Sequence, residues 1–247
     1  MQTSPLSGSY IRASSVTNDD LHIFFDIFKR HYDNVDFGQF KADFIEKDYV
    51  IILKDGSAGA VRGFSTIAIY DRVVQGERIK LLFSGDTVIE RSHWGQQELL
   101  KTWCSIAAGI YEHLDINERF YWLLMSKGYR TYLYLPFFFK EFYPRADVEW
   151  PVLEKGIIDD FGMFKYRDHY DPSRGLIVFD KSPGHLKSDI ANTPIAKQKN
   201  PHVSFFLKSN PRFANGDELV CLARIEPGNM MSLAKRSFIP TEEALFV

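Results

Sequence analysis

The chain has 247 residues, a formal net charge of −2 at pH 7 and 45% hydrophobic residues. This length is sufficient to bury one substantial core, and the weak negative charge gives no basic field for nucleic acid or an anionic membrane surface. The polar N-terminus and the lack of any apolar run of about eighteen residues predict a soluble, cytoplasmic protein without a membrane span. Cys104 and Cys221 lie in apolar stretches typical of buried, reduced thiols.

The first ninety residues predict a strand, two helices and a three-stranded antiparallel meander. Thr17 begins an N-cap signature before the first helix, which we expect to end near Tyr32. Turn signals at 54–57 and 75–77 separate the apolar stretches that follow. The predicted elements are a strand at 9–13, helices at 18–32 and 37–47, and strands at 49–53, 62–70 and 79–83, the last resuming at 88–89.

The remainder of the chain predicts further helices and strands without a linker between them. A helix with apolar residues at helical spacing follows residue 98, and an aromatic stretch at 131–143 is interrupted by Pro136. The polar segment 183–200 is expected to be a mobile loop. The other predicted elements are a strand at 120–125, a helix at 152–166, strands at 176–179, 203–207 and 218–225, the last two as a pair, and a helix at 230–236.

One turn has the features of an anion site. The stretch from Arg91 to Gln96 joins an apolar strand to the long helix and contains Gly95. The first N–H groups of a helix lack partners within the helix, and the helix dipole adds positive charge there. The turn therefore predicts a pyrophosphate site, and an ordinary strand–turn–helix connection is the alternative.

This order of elements resembles the GNAT superfamily of acyl-CoA N-acyltransferases. In that family, Arg/Gln-x-x-Gly-x-Gly/Ala opens the helix after the fourth strand, and its amides hold the donor pyrophosphate. Arg91 to Leu100 matches in position, with Gly95 as one family glycine and Gln97 where a small residue is usual. The resemblance implies an α+β fold in which helices flank a mixed, mostly antiparallel sheet with additional C-terminal strands and helices. It divides the chain into an acyltransferase core at 1–145 and an extension at 146–247 that packs on the sheet or completes it.

The resemblance also implies a site for a thioester donor. Acyl-CoA or a phosphopantetheine thioester would be the co-substrate, with no permanently bound cofactor. No metal is predicted, because His169 and Asp171 have no third ligand at recognisable spacing. In the family the fourth and fifth strands separate, and the fourth pairs with the pantetheine arm. The implied donor-binding residues are Val88, Ile89, Arg91, His93, Trp94, Gly95, Gln96, Ser126, Lys127 and Arg130.

Four residues are candidates for the acid–base chemistry of direct transfer to an amine. Asp86 and Glu90 lie on one face of the fourth strand, and the polar break around Asp86 indicates a bulge or a cleft-facing site. An aspartate that bonds its own turn is the alternative for Asp86, and an exposed strand-end residue is the alternative for Glu90. Tyr132 and Tyr134 are candidate acids, with aromatic packing as their alternative role.

The sequence therefore predicts an N-acyltransferase acting on a small-molecule amine, with an acyl-carrier protein as a second donor type. The aromatic run 137–139 and the extension suggest an acyl group or acceptor larger than acetyl. Three alternatives remain open: a non-catalytic binding module on a GNAT-like fold, a carrier-protein-dependent synthase resembling acyl-homoserine-lactone synthases, and an unrelated α+β enzyme with its site in the last hundred residues.

Overall fold

The computed structural model describes residues 4–56 and 59–240. The strands are β1 (Leu6–Arg12), β2 (Tyr32–Asp33), β3 (Tyr49–Asp55), β4 (Val61–Val74), β5 (Glu77–Ile89), β6 (Glu118–Ser126), β7 (Tyr170–Asp171), β8 (Leu176–Ile177), β9 (His185–Leu186) and β10 (Glu218–Arg224). The helices are α1 (Asn18–Phe28), α2 (Phe37–Phe44), α3 (Glu98–Glu112), α4 (Tyr129–Tyr132), α5 (Tyr134–Phe138), α6 (Val152–Tyr166), α7 (Ser188–Ala191), α8 (Ile195–Gln198), α9 (Pro201–Ser209) and α10 (Ser232–Ser237). Ser57 of the predicted turn, residues 1–3 of the predicted core and residues 241–247 of the predicted extension lie outside the described residues.

Eight of the strands form one sheet in the order β1-β3-β4-β5-β6-β10-β8-β7. All neighbouring pairs are antiparallel except β5 and β6, which run parallel because α3 connects them. β10, β8 and β7 come from the predicted extension and continue the sheet beyond β6. The α+β class predicted from the sequence is confirmed, and the boundary at 145 stays a prediction.

Helices cover both faces of this sheet because the apolar strands alternate between two cores. In β3, Ile51 and Leu53 pack with α3, whereas Val50 and Ile52 pack with α1 and α2. α6 covers the second face farther along the sheet, beneath β4, β5 and β6. α1 begins with the predicted Thr17 cap, whose side chain accepts the amide of Asp20. No helix within 4–56 and 59–240 is long and apolar enough to cross a membrane.

β5 and β6 separate at a position marked by a buried serine. Their parallel pairing ends at Ser84 and Leu124, although β5 continues to Ile89. The Ser84 hydroxyl accepts hydrogen bonds from the indole Nε1 of Trp103 at 3.2 Å and of Trp122 at 2.9 Å. Ser84 therefore ties α3 and β6 to the last paired residue of β5.

Replacing this serine leaves two indoles unpaired. We expect Ser84→Ala to lower the free energy of unfolding by about 2–6 kcal/mol, because each of the two buried unsatisfied donors costs about 1–3 kcal/mol. Urea denaturation followed by circular dichroism measures the change, with the exposed strand residue Ser9 mutated to Ala as the control. Equal stabilities of the two variants would contradict the assigned hydrogen bonds.

Three predicted elements differ from the structure. The predicted strand at 203–207 is wrong, because Pro201–Ser209 forms α9 and β10 pairs instead with β6 and β8. The Asn200 side chain accepts hydrogen bonds from the backbone amides of His202 and Val203, and Pro201 occupies the first turn. These capping features favour a helix here, although the apolar residues alone are equally compatible with a strand. The first helix ends at Phe28 rather than near Tyr32. The segment 183–200 contains β9, α7 and α8 rather than an unstructured loop.

Candidate active site

A cleft of about 460 Å³ opens beyond the point where β5 and β6 separate. We call it the main cleft. The end of β5, the start of α3, the helices α4 and α5, and a segment containing β9 and α7 surround it. Its wall is largely apolar and includes Val88, Ile89, Leu99, Leu100, Leu133, Tyr134, Phe137, Phe138, Leu186, Ile190 and Ala191.

The β5 edge that faces the main cleft carries backbone groups unpaired with β6. The amide of Glu90 donates to the carbonyl of Arg62 at 2.8 Å, so its hydrogen bond is directed toward β4. Since this direction alternates along an antiparallel strand, Thr87 and Ile89 direct their backbone groups toward the cleft. The Ile89 carbonyl already accepts Trp94 Nε1 at 2.8 Å. The remaining groups suit an extended ligand with amides of its own.

The predicted anion turn lies at one end of the main cleft. A 3-10 turn at Arg91–His93 leads to Gly95, whose φ of +90° favours glycine. α3 then begins at Glu98 without a side-chain cap from Gln97. The first amides of this fifteen-residue helix therefore have no partner within the helix. Gly95, Gln96 and Gln97 all line the cleft here.

The Gln96 side chain is engaged elsewhere. Its Oε1 accepts the amide of Leu6 at 2.7 Å, and its Nε2 donates to the carbonyl of Ser4 at 3.2 Å. These bonds hold the turn against the start of β1. Any contact between Gln96 and an anion in the main cleft would therefore use its backbone rather than its side chain.

A segment of the C-terminal extension connects the two sides of the main cleft. We call residues 183–192 the strap. Asp189 of the strap pairs with Arg91 on the turn at 2.5 Å, and the Ile190 carbonyl accepts a hydrogen bond from Arg130 on α4. Both guanidinium groups also lie over the ring of Trp94, at 5.8 and 5.2 Å from its centroid. Two cations and an exposed indole are thus grouped beside the anion turn.

A smaller cavity of about 250 Å³ adjoins the main cleft. We call it the acidic cavity. Its charged lining residues are Asp36, Asp43, Asp86, Glu218 and Lys127. Three residues line both cavities, namely Tyr32, Thr87 and Thr131. Molecules bound in the two cavities would consequently meet beside the end of β5.

A bulge in β5 places Asp86 in the acidic cavity. The β4–β5 register shifts between Ser65 and Ile67, where Gly85 and Asp86 lie opposite Thr66. A Cβ at Gly85 would overlap the Thr66 hydroxyl and the Lys47 side chain, so the chain passes too closely there for a larger residue. The polar break seen in the sequence is therefore a bulge that faces a cavity.

Asp86 is the carboxylate inside the acidic cavity that has no ion-pair partner in the described part of the chain, whereas Asp36 lies exposed at its rim. Lys127 Nζ lies 3.3 Å from a carboxylate oxygen of Glu218, and Lys47 Nζ lies 2.7 Å from one of Asp43. Within residues 4–56 and 59–240, no cation lies within 4.0 Å of Asp86. Burial and the nearby charge of Asp43 raise the pKa of Asp86 to about 6, against the opposing effects of Lys127 and Lys47. Its carboxylate can therefore exchange a proton close to neutral pH.

Lys127 and Tyr32 keep their protons at neutral pH. Burial opposes the charge of Lys127, but Glu218, Tyr32 and Asp86 together raise its pKa above the ordinary value. Burial raises the pKa of Tyr32 to about 12, and the Lys127 ammonium lies 5.7 Å from the centroid of its ring. A neutral phenol therefore stands at the junction of the two cavities.

The two predicted tyrosine acids occupy different environments. Tyr134 lines the main cleft, and burial raises its pKa. Tyr132 lines neither cavity, because its side chain is fully buried and its hydroxyl donates to the carbonyl of Pro144 at 2.7 Å. The geometry thus leaves Tyr134 beside the cleft and gives Tyr132 a packing role.

The other predicted site residues divide in the same way. Those lining the main cleft are Val88, Ile89, Trp94, Gly95, Gln96 and Arg130, whereas Lys127 lines the acidic cavity. Those lining neither cavity are Glu90, Arg91, His93 and Ser126. Glu90 pairs with Arg30 at 2.5 Å and with Arg62 at 3.2 Å. His93 is buried beside Ser92, and Ser126 packs against Cys221 in the core.

Sequence reasoning missed several residues of the acidic cavity. Tyr32 lies between α1 and α2, and Glu218 begins a strand nearly two hundred residues later. Glu218 is a buried carboxylate at the start of an apolar strand, which is a signal that the sequence does carry. Tyr32 has no comparable signal. No group of three or more metal-ligating side chains occurs in the described part of the chain.

Comparison with solved structures finds N-acetyltransferases and a probable N-acyltransferase. The chain is similar to glucosamine-6-phosphate N-acetyltransferase from Arabidopsis thaliana at 11% identity, over 47% of this chain and 82% of that chain, with a TM-score of 0.34. It is similar to a probable N-acyltransferase from Enterococcus faecalis V583 at 9% identity, over 89% of this chain and 66% of that chain, with a TM-score of 0.39. It is also similar to ribosomal-protein-alanine N-acetyltransferase from Brucella melitensis biovar Abortus 2308 at 14% identity, over 60% of this chain and 97% of that chain, with a TM-score of 0.37.

These likenesses concern the fold alone. Comparison with protein-family models finds no match, and comparison with curated protein sequences finds none either. In the described part of the chain, the mostly antiparallel sheet, its one parallel β5–β6 pair and the cleft beyond that pair define an α+β fold of the class predicted from the sequence.

Proposed function

We propose that the chain is an N-acyltransferase that moves an acyl group from a thioester donor to a small amine. The observation that carries this proposal is the junction of the two cavities. The main cleft presents a strand edge and an anion turn, and the acidic cavity presents a carboxylate with a pKa of about 6. The two meet at Tyr32, Thr87 and Thr131, so a donor and an acceptor would come into contact there.

The main cleft is the proposed donor site. A pantetheine arm is extended and carries two amides, and it would lie along Thr87 and Ile89 as an added strand. Its pyrophosphate would bind the backbone amides at the start of α3, with Arg130 beside them. Arg91 would leave its ion pair with Asp189 and pair with a phosphate group of the donor instead. The reacting thioester would then reach the junction with the acidic cavity.

Asp86 is the proposed general base. It would take a proton from the ammonium of the acceptor, and the amine nitrogen would then attack the thioester carbonyl carbon. This attack forms the C–N bond, and collapse of the tetrahedral intermediate then re-forms the carbonyl, breaks the C–S bond and releases a thiolate. The thiolate would take its proton from Tyr32 or Tyr134, both held neutral by a raised pKa, and the resulting phenolate would take the second proton from the nitrogen of the new amide. The products are an amide and a free thiol.

Thiol release tests the proposal. We expect the purified protein to release thiol from acyl-CoA donors only when a primary amine is present, with one amide formed per thiol. The assay uses a panel of acyl chains from acetyl upward and detects the amide by mass spectrometry. Hydrolysis without amide formation, or no turnover with any donor, would contradict the proposal.

The form of the donor is a separate part of the proposal. Acyl-CoA and acyl-carrier protein present the same phosphopantetheine arm, and the main cleft fits that arm in either case. Free coenzyme A should inhibit an enzyme that uses acyl-CoA and have little effect on one that uses a carrier protein. A cytoplasmic location, where both donors are made, completes the proposal.

A further inference from the structure

The residues that line the acidic cavity indicate which class of amine would bind there. Its walls carry six aromatic rings, those of Phe28, Tyr32, Phe40, Phe83, Tyr166 and Phe179. They come from α1 and α2, from β2 between these helices, from β5, from α6 and from the segment after β8. A ligand that fills this space buries an apolar body against rings on several sides.

Inside the acidic cavity, all charged groups except one carboxylate are in ion pairs. Lys127 is matched by Glu218 and Lys47 by Asp43, whereas Asp86 has no ion-pair partner in the described part of the chain. Asp36, at the cavity's exposed rim, accepts the amide of Gln39 as the cap of α2. The interior thus carries one uncompensated negative charge, which one cation would neutralise.

The two available ammonium groups would not receive a second anion readily. Lys127 and Lys47 already bind carboxylates at 3.3 and 2.7 Å, and the Asp86 charge lies beside them. A ligand carboxylate would be repelled by Asp86, Asp43 and Glu218. A sugar would place hydroxyl groups against the six aromatic rings, and a polyamine would bring more ammonium groups than the one interior carboxylate that lacks an ion pair.

We infer that the acceptor is an aromatic monoamine: one primary ammonium on a short linker from an aromatic ring, with no carboxylate. The ammonium faces Asp86, and the ring lies among the aromatic side chains of the acidic cavity. This inference rests on the proposed function, because it treats the acidic cavity as the acceptor site. It names the class of amine, which the proposed reaction leaves open.

Binding without chemistry tests the inference separately. Isothermal titration calorimetry with phenethylamine, phenylethanol, phenylalanine and glucosamine is performed with and without coenzyme A. We expect phenethylamine to bind at least ten times more tightly than each of the others. Phenylethanol lacks the charge, phenylalanine adds a carboxylate, and glucosamine lacks the ring. Equal or tighter binding of phenylalanine or glucosamine would overturn the inference.

Two variants locate the bound amine. Phe179→Ala and Asp86→Asn should each weaken phenethylamine binding about tenfold or more, whereas Phe164→Ala, which removes an exposed ring outside both cavities, should leave it unchanged. Unchanged binding in both cavity variants would overturn the inference. Binding of phenethylamine without transfer to it from any donor would contradict the proposed function alone, and transfer only to other amines would contradict the inference alone.

Discussion

Replacing Asp86 by asparagine should abolish most of the transfer activity and at the same time stabilise the protein above pH 6. Asparagine keeps the shape of the side chain but accepts no proton, and loss of a general base typically lowers turnover roughly 100- to 10,000-fold. In the unchanged protein, activity should fall as the pH drops below about 6, because Asp86 is then protonated. Steady-state turnover between pH 5 and 9 measures both effects.

The stability effect follows from the raised pKa. The ordinary aspartate pKa is about 3.9, and in the folded protein the value is about 6. Between these values the folded state binds more protons than the unfolded state, so its stability falls as the pH rises. Asparagine does not titrate, so Asp86→Asn removes this decrease in stability. We expect the free energy of unfolding of the variant to exceed that of the original protein by on the order of 1–3 kcal/mol above pH 6 and to equal it near pH 4.

A matched control separates this effect from general charge removal. Asp168 is an exposed carboxylate that lines neither cavity, and Asp168→Asn should leave both turnover and its pH profile unchanged. Turnover of Asp86→Asn within a few fold of the original protein would remove Asp86 from the mechanism. A stability gain for Asp86→Asn that persists at pH 4 would contradict the assigned pKa.

Obstructing the main cleft should block the donor without affecting the amine. Ala191 lines the main cleft from the strap and is absent from the acidic cavity. An indole at this position would occupy space that the pantetheine arm needs. We expect Ala191→Trp to raise the KM for the donor at least about 100-fold, equivalent to about 2.7 kcal/mol of binding free energy.

The control for this variant lies on the same short helix. Ser188 is exposed and lines neither cavity, so Ser188→Trp should retain normal donor kinetics. Phenethylamine binding, measured by calorimetry, should be unaltered in Ala191→Trp. An unchanged donor KM, or loss of amine binding instead, would show that the two cavities do not have the assigned roles.

The strands and long helices were predictable because their signals are local. The apolar stretch at 49–53 is β3, and the Thr17 cap begins the first helix where expected. The stretch 203–207 shows the limit of such reasoning, because a short apolar run fits a strand or a buried helix equally well. Asn200 and Pro201 begin a helix at this point, and this capping signal was present in the sequence.

The candidate site was predictable mainly where one strand and one turn build it, together with Arg130 and Tyr134 from the helices after β6. Asp86, Val88, Ile89, Gly95 and Gln96 are close in sequence, and all line one of the two cavities. Tyr32 and Glu218 join them only through the three-dimensional fold, as does the strap. Lys127 follows β6 as expected, but its ion pair with Glu218 places it in the acidic cavity rather than beside the anion turn.

A crystal structure with coenzyme A and phenethylamine would test the central claim most directly, namely that the two cavities hold the donor and the acceptor. We expect the pantetheine arm to lie along Thr87 and Ile89, with its pyrophosphate on the amides at the start of α3 and the ammonium of the amine against Asp86. Coenzyme A bound outside the main cleft, or an amine bound away from Asp86, would contradict the account.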